Sequence, residues 1–268
     1  MTIPALQQIV WSFYQKHKRT LPWRDTIDPY WIVVSEIMLQ QTQVSRVLIK
    51  FPEFIAAFPS FKALSQAPLD EVLRAWQGMG YNRRAKFLRE IASIIYLKHG
   101  GVLPKDPDVL DSFPGIGPAT ARSIVTFAYN SPEVFIETNI RRVLIHHFFA
   151  DATHVDDKDI IPILTQTIDT SHPREWYYAL MDYGSYLGKI TVNPNRKSKQ
   201  YTKQSAFEGS SRQVRSECLR AVLVDHALSF SELCEKTGHE SAWVKRAVQE
   251  LVKEQMIQEK NGIFSIMN

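Results

Sequence analysis

The sequence predicts an all-α fold over most of its length, followed by a small C-terminal domain of three helices and a hairpin. Three observations lead there. Apolar residues recur at helical spacing as far as about residue 187, with no alternating strand pattern to compete. The composition turns abruptly polar and basic after Gly188. Near the end, Asn261-Gly262 stands between two short apolar runs, a strong signal for a two-residue hairpin turn.

Taken in order, "IPALQQIVWSFYQKHK" spaces Leu6, Ile9, Val10 and Phe13 by threes and fours, which predicts one buried stripe on a first helix. "SEIMLQQTQV", Ser35 to Val44, suits a helix with Ile37 and Met38 inward. It also carries a carboxylate, Glu36, and a Gln-Gln-Thr cluster where a core-building sequence would place leucines. "DEVLRAWQGMG" and "RRAKFLREIASIIYLKHGG" repeat the helical spacing, and Gly100 and Gly101 sit where a helix ends. Pro22, Pro29, Pro59, Pro68, Pro104 and Pro107 fall at joints, where a missing amide proton is tolerated. Two domains joined by a linker are expected: residues 1–188, a basic linker or loop at 189–211, and 212–268. The middle segment carries Lys189, Arg196, Lys197, Lys199 and Lys203 before its first acid, Glu208. The last should hold helices near 212–226, 231–236 and 241–254 before the hairpin. That is a winged-helix pattern, with the third helix in the recognition position.

Composition narrows the function classes. The chain has 268 residues, enough for a sizeable core. Its 32 Lys and Arg against 28 Asp and Glu give a net charge of +4, which allows an anionic partner without demanding one. Two cysteines, Cys218 and Cys234, can build neither a disulfide framework nor a four-thiolate metal site within the chain. No run of about 18 apolar residues occurs, so a soluble, cytoplasmic protein is expected.

Two stretches suggest chemistry. In "LDSFPGIGPATARSIVTFA", Leu110 to Ala128, Gly115 and Gly117 frame a tight turn before a helix. Its bare backbone amides suit an anion such as a DNA phosphate, while the plainer reading is a simple helix connection. In "VFIETNIRRVLIHHFF", Glu137 opens a helix, either as a favourable charge at the helix terminus or as a carboxylate that stabilises positive charge in a substrate. His146 and His147 have no metal spacing around them and read as structural.

Four stretches in order, "LPWRDTIDPYWIVVSEIMLQQTQV", "WQGMGYNRRAKFL", "FPGIGPATARSI" and "ETNIRRV", resemble the helix-hairpin-helix DNA glycosylases, specifically the MutY-like adenine glycosylases. The likeness covers residues 5 to 187. It implies a two-lobed helical domain that extrudes one nucleotide of double-stranded DNA into a groove between the lobes and hydrolyses its N-glycosidic bond. By the same resemblance Glu36 is the general acid, and it would need apolar surroundings such as Ile37, Met38 and Trp31 to keep its proton near neutral pH. Gln41 and Tyr81 match residues wedged into the DNA stack, and Arg24 and Asp182 match positions lining the base pocket. Read without the family, Gln41 is exposed surface and Tyr81 half-buried core, Arg24 belongs to a surface ion pair, and Asp182 is a solvated acid.

The sequence departs from that family in several places. The catalytic aspartate of "VDGNV" or "VDTNV" is here Glu137, one methylene longer. The position of the lysine nucleophile in strand-cleaving relatives is Ala119, so lyase activity is not expected. The four-cysteine iron–sulfur motif that should follow "YALMDYGSYLG" is absent, so no cofactor or metal is expected. The family's larger C-terminal lesion-reading domain is replaced by the winged-helix pattern. The expected protein is therefore a monomeric, nucleoid-associated base excision enzyme without lyase activity, acting on a mispaired adenine or another purine. Excision of a different deaminated or oxidised base, or non-catalytic DNA binding, stays open at this level.

Overall fold

The computed structural model describes residues 1–267 and is mostly helical, with one small sheet. The chain divides into two compact units that do not follow linear order. The first comprises Met1–Glu36, Pro104–Ser112 and Ile116–Lys203, and the second Ile37–Leu103, Phe113–Gly115 and the chain from Gln204 onward.

In the first unit, α1 (Ile3–His17) starts at Thr2, whose hydroxyl accepts from the Ala5 amide. Its buried stripe keeps the expected Leu6 and Val10 but adds Tyr14 in place of Ile9 and Phe13: Ile9 is 36% exposed and Phe13 only half-buried. The reason lies in the partner. Trp11 packs on Trp176 with ring centroids 5.6 Å apart, and Phe13 is left to meet Tyr183 and Tyr186 at the margin. Helix α2 (Pro29–Leu39) is buried at consecutive positions from Ile32 to Ser35, as happens when a helix is covered on several faces. The unit continues with α7 (Pro107–Asp111), α8 (Pro118–Tyr129), α9 (Thr138–Phe148), α10 (Asp157–Thr167) and α11 (Pro173–Ile190).

Helices α9 and α11 approach closely because two glycines lie one turn apart on α11. A Cβ on Gly184 would lie 2.3 Å from the Asn139 carbonyl oxygen, and one on Gly188 would meet the Arg142 guanidinium at 2.8 Å. Arg142 donates to the Gly184 carbonyl at 2.7 Å across this contact. The basic segment after α11 is tied down at its start. Pro194–Lys197 forms a 3₁₀ turn, Asn195 Nδ2 donates to the Thr138 carbonyl at 2.9 Å, and Lys197 Nζ donates to the Phe149 and Ala150 carbonyls. Val155 and Ser198 form a parallel bridge. From Lys199 to Gly209 the residues are exposed and irregular.

In the second unit, α3 (Val44–Ala57), α4 (Phe61–Gln66), α5 (Leu69–Ala75) and α6 (Arg83–Lys98) surround Phe51, Phe54, Leu64, Trp76 and Leu88. Helix α6 ends at His99, and Gly100 and Gly101 follow with φ of +62° and +82°. The C-terminal segment belongs to this unit. It consists of α12 (Ser211–Asp225), β1 (Ala227–Ser229), α13 (Phe230–Thr237), α14 (Ser241–Lys253), β2 (Ile257–Lys260) and β3 (Ile263–Ile266). The three strands are antiparallel in the order β1-β3-β2, and Asn261-Gly262 turns the hairpin with both residues at positive φ. Glu254 ties this segment to α6: its carboxylate pairs with Arg215 and lies 3.5 Å from Arg83, and its carbonyl accepts from Lys86 Nζ at 2.7 Å. No described helix is long and apolar enough to cross a membrane.

The glycine contact gives a graded test. Gly184→Ala drives a methyl into backbone and should cost about 1–3 kcal/mol of stability, whereas Gly188→Ala meets the far end of a flexible side chain and should cost clearly less. Denaturant titration of both variants reads the order.

Candidate active site

Glu36, on α2, is half-buried, and its carboxyl meets Ser123 on α8 at 2.5 Å from Oε2 to Oγ. Burial pushes its pKa up to about 7; the Ser123 hydrogen bond opposes this, the nearby Glu137 charge adds to it, and Arg24 opposes it. Ser123 Oγ also lies 3.0 Å from the Thr120 carbonyl. A hydroxyl has one proton to give, so Ser123 serves either the Glu36 carboxylate or the Thr120 carbonyl at any instant.

Glu137 immediately precedes α9 and caps it. Its Oε1 accepts from the Asn139 and Ile140 amides at 2.7 and 2.9 Å, and its Oε2 from Asn139 Nδ2 at 3.2 Å. Glu137 is thus itself the N-cap of α9, which is more than a favourable charge at the helix terminus, and its carboxylate also acts electrostatically on Glu36. Burial raises its pKa, while the two amides, Arg142 and Arg141 favour the anion. Two carboxyls therefore sit in one unit with different support, Glu137 being the one supplied with donors to its charge and Glu36 the one held near neutrality.

Asp182 is not a solvated acid. At 3% exposure it accepts from the Arg19 amide at 3.0 Å, from Arg19 Nε at 2.6 Å and from Arg24 Nη1 at 2.9 Å. Arg24, correspondingly, is no surface partner: its side chain is 3% exposed and its guanidinium lies 4.4 Å from the Tyr178 ring centre. Arg24 and Tyr178 border a cavity of about 530 Å³ that Tyr14, Lys18, His172 and Arg174 also line.

The turn between α7 and α8 shows why its first glycine is needed. Gly115 has φ of +74°, and a Cβ there would come within 2.5 Å of the Phe87 ring; Gly117 has open space and immediately precedes α8. Among the described residues, the amides of Gly115, Ile116 and Gly117 donate to no protein acceptor, which leaves them available to an anion.

In the second unit, Gln41 and Tyr81 are both exposed and both left-handed, with φ of +54° and +47°. Non-glycine residues rarely hold this conformation, at a cost of about 1–2 kcal/mol each. Tyr81 is 38% exposed, so it is not core, and its hydroxyl meets Gln204 and Arg212. Between the two turns lies Arg84, 7% exposed, which sequence reasoning passed over. Its Nη1 donates to the carbonyls of Ile37, Met38 and Gln40 at 2.9, 3.0 and 2.6 Å. Its Nη2 donates to Thr42 Oγ1, Gly80 O and Met79 O at 2.9, 3.1 and 3.3 Å. Burial lowers its pKa to about 10, which still leaves it charged at neutral pH. A signal for it existed: Arg84 shares the spacing of Leu88, Ile91 and Ile95, the buried stripe of α6. Ser123 on α8 and Arg19 just beyond α1 were also missed, and neither carries a sequence pattern that singles it out.

The described residues contain no cluster of three His, Cys, Asp or Glu that could hold a metal. Cys218 and Cys234 lie on α12 and α13, so the segment after α11 offers no thiolate and does not fit a four-thiolate cluster.

Residues 34–164 match the family described as HhH-GPD superfamily base excision DNA repair protein. An adenine DNA glycosylase of Mycolicibacterium smegmatis is 40% identical over 189 residues, covering 69% of this chain and 63% of the relative. One from Mycobacterium tuberculosis is 39% identical over 65% of this chain and 59% of its own length, and one from Buchnera aphidicola 35% identical over 70% and 54%. The chain thus spans only 54–63% of the length of these relatives. Among solved structures, a thermostable thymine-DNA glycosylase superposes with a TM-score of 0.62 at 23% identity, over 68% of this chain and 86% of that one. A trapped endonuclease III–DNA covalent intermediate superposes with a TM-score of 0.58 at 18% identity, over 69% and 87%. These are likenesses of fold.

The carboxyl pair makes a titration testable. Because Glu36 is raised from its ordinary 4.5 to about 7, the folded protein binds the extra proton in that window, and this group's contribution to stability falls as pH rises through it. A carboxyl carbon resonance from Glu36 should titrate with a midpoint near 7. Ser123→Ala, which removes a donor to the anion, should move that midpoint up; a midpoint in the ordinary carboxylate range would contradict the assignment.

Proposed function

Since the chain belongs to the HhH-GPD superfamily of base excision DNA repair proteins, we propose that it is a monofunctional DNA glycosylase that removes mispaired adenine from double-stranded DNA. The observation that carries this is the unequal carboxyl pair: Glu36 keeps a proton near neutral pH while Glu137 is held by helix amides that favour its anion. Adenine leaves poorly as an anion, so Glu36 donates its proton to a ring nitrogen as the C1′–N9 bond breaks. The electron pair of that bond goes to the base, and the sugar becomes oxocarbenium-like. Glu137 stabilises that positive charge until water adds to C1′. Glu36, now a carboxylate, accepts the proton of the incoming water.

The names of the relatives support adenine as the base. The residues support the absence of lyase chemistry, because Ala119 supplies no amine at the position where strand-cleaving relatives carry their nucleophile. Gln41 and Tyr81 act as the wedges that take the place of the extruded nucleotide, and the free amides around Gly117 hold a DNA phosphate. Arg24 and Asp182 shape the base pocket from behind, since each spends its charge on the other. The protein works as a monomer and without an iron–sulfur cluster; hydrogen bonds from Asn195 and Lys197 brace the segment where relatives carry the thiolates.

The three helices and three-stranded sheet at the C-terminal end form a winged helix that adds affinity for flanking DNA. Helix α14 supports this by presenting Lys245 and Arg246 as exposed cations.

Three experiments test these readings. A duplex carrying adenine opposite 8-oxoguanine, incubated with the protein and then with hot alkali, should break at the adenine, and borohydride should trap no covalent adduct. Glu36→Gln should lower the single-turnover rate by about 10²–10⁴-fold with duplex binding retained; a rate within threefold of wild type removes Glu36 from the role. Replacing both Lys245 and Arg246 with Glu should weaken duplex binding and reduce the log–log salt slope by about 0.9 for each lost phosphate contact. An unchanged slope would place the C-terminal domain off the DNA.

A further inference from the structure

We propose that Arg84 is the positioning residue that holds Gln41 and Tyr81 in the backbone conformations from which they enter DNA. This rests on the wedge roles assigned above. Gln41 and Tyr81 are left-handed non-glycine residues on two separate turns, and a strained exposed turn relaxes unless its surroundings over-determine it. Arg84 supplies that determination for both turns. Gln40 O and Thr42 Oγ1, on either side of Gln41, accept from its two terminal nitrogens at 2.6 and 2.9 Å. Met79 O and Gly80 O, the two residues before Tyr81, accept from Nη2, and the Tyr81 carbonyl accepts from the Arg84 amide at 2.9 Å. The guanidinium carbon also lies 5.5 Å from the Tyr81 ring centre and 5.3 Å from that of Trp76, whose Nε1 donates to Gly80 O at 3.1 Å.

The geometry suits arginine alone. Two terminal nitrogens at a fixed planar angle serve two sets of acceptors, whereas a lysine ammonium is a single point and cannot span both. Nη1 also meets carbonyls at the C-terminal end of α2, where a helix leaves carbonyls unpaired and favours a cation. At 7% exposure Arg84 has little surface to offer DNA, so its action runs through the two side chains it places. A wedge already held in its inserting conformation loses little freedom on entering the stack.

The test uses the full chain with Arg84→Lys and Arg84→Met, and with Gln41→Ala/Tyr81→Ala as the reference for the wedges. Stopped-flow fluorescence of 2-aminopurine next to the mispaired adenine reads unstacking, and single-turnover excision is measured on that duplex and on one whose adenine sits unpaired in a bulge. The lysine variant should slow unstacking and excision of the mispaired adenine on the order of 10²-fold, the scale expected of a misplacement near 1 Å. On the bulged adenine it should stay within a few-fold, and hydrogen exchange should rise at residues 40–42 and 79–82. If the reference variant unstacks the duplex at the wild-type rate, the wedge reading fails and takes the proposal with it. If the reference is slow but both Arg84 variants match wild type, the wedges stand and the role of Arg84 is refuted. An equal loss on the bulged and mispaired substrates, or a collapse of the melting transition in both variants, also overturns it, because Arg84 would then serve only the fold.

Discussion

Desolvation of charge is the constraint on which this molecule depends. Asp182, Arg84, Glu137, Arg24 and Glu36 are all drawn out of water, and each is answered differently. Asp182 receives two arginines, Arg84 receives carbonyls, and Glu137 receives the open amides of a helix. Arg24 is shared between Asp182 and the face of Tyr178. Glu36 alone receives little more than a serine hydroxyl, so the low-dielectric surroundings are answered by keeping the proton. A group left under-compensated in this way is a liability for folding and a resource for acid catalysis.

The same logic explains the local architecture. Glu137 folds back onto the first turn of α9, whose amides fix its carboxylate to a rigid element. The close approach at Gly184 then fixes α9 itself against α11, the helix that also carries Asp182. Backbone packing, capping and ion pairing thus converge on the placement of two carboxyl groups.

Much of this was legible in the sequence, though unevenly. Helix periodicity located most elements, and the Asn-Gly turn gave the hairpin its register. The three-residue β1 has too short a pattern to be seen. The first helix misled because its apolar face is wider than its buried stripe, and only the Trp11–Trp176 contact decides which edge faces inward. Glu36 and Glu137 could be found by motif, but their unequal environments could not: Glu137 takes its donors from the next residues of α9, whereas Glu36 depends on Ser123, far away in sequence. Arg84 drew no reading from the sequence, although its position on the apolar stripe of α6 marked it as inward.

The junction at Glu254 bears on modularity. Its carboxylate serves Arg215 within the C-terminal segment while its carbonyl, with Gln255, surrounds the Lys86 ammonium of α6. Exchanging this segment for an unrelated one would leave Lys86 with only the more distant Glu90, at 3.5 Å, in a place its side chain barely shares with solvent. The C-terminal part is therefore not a freely interchangeable cassette: a substitute would have to bring its own acceptors to the Lys86 ammonium or leave it open to water.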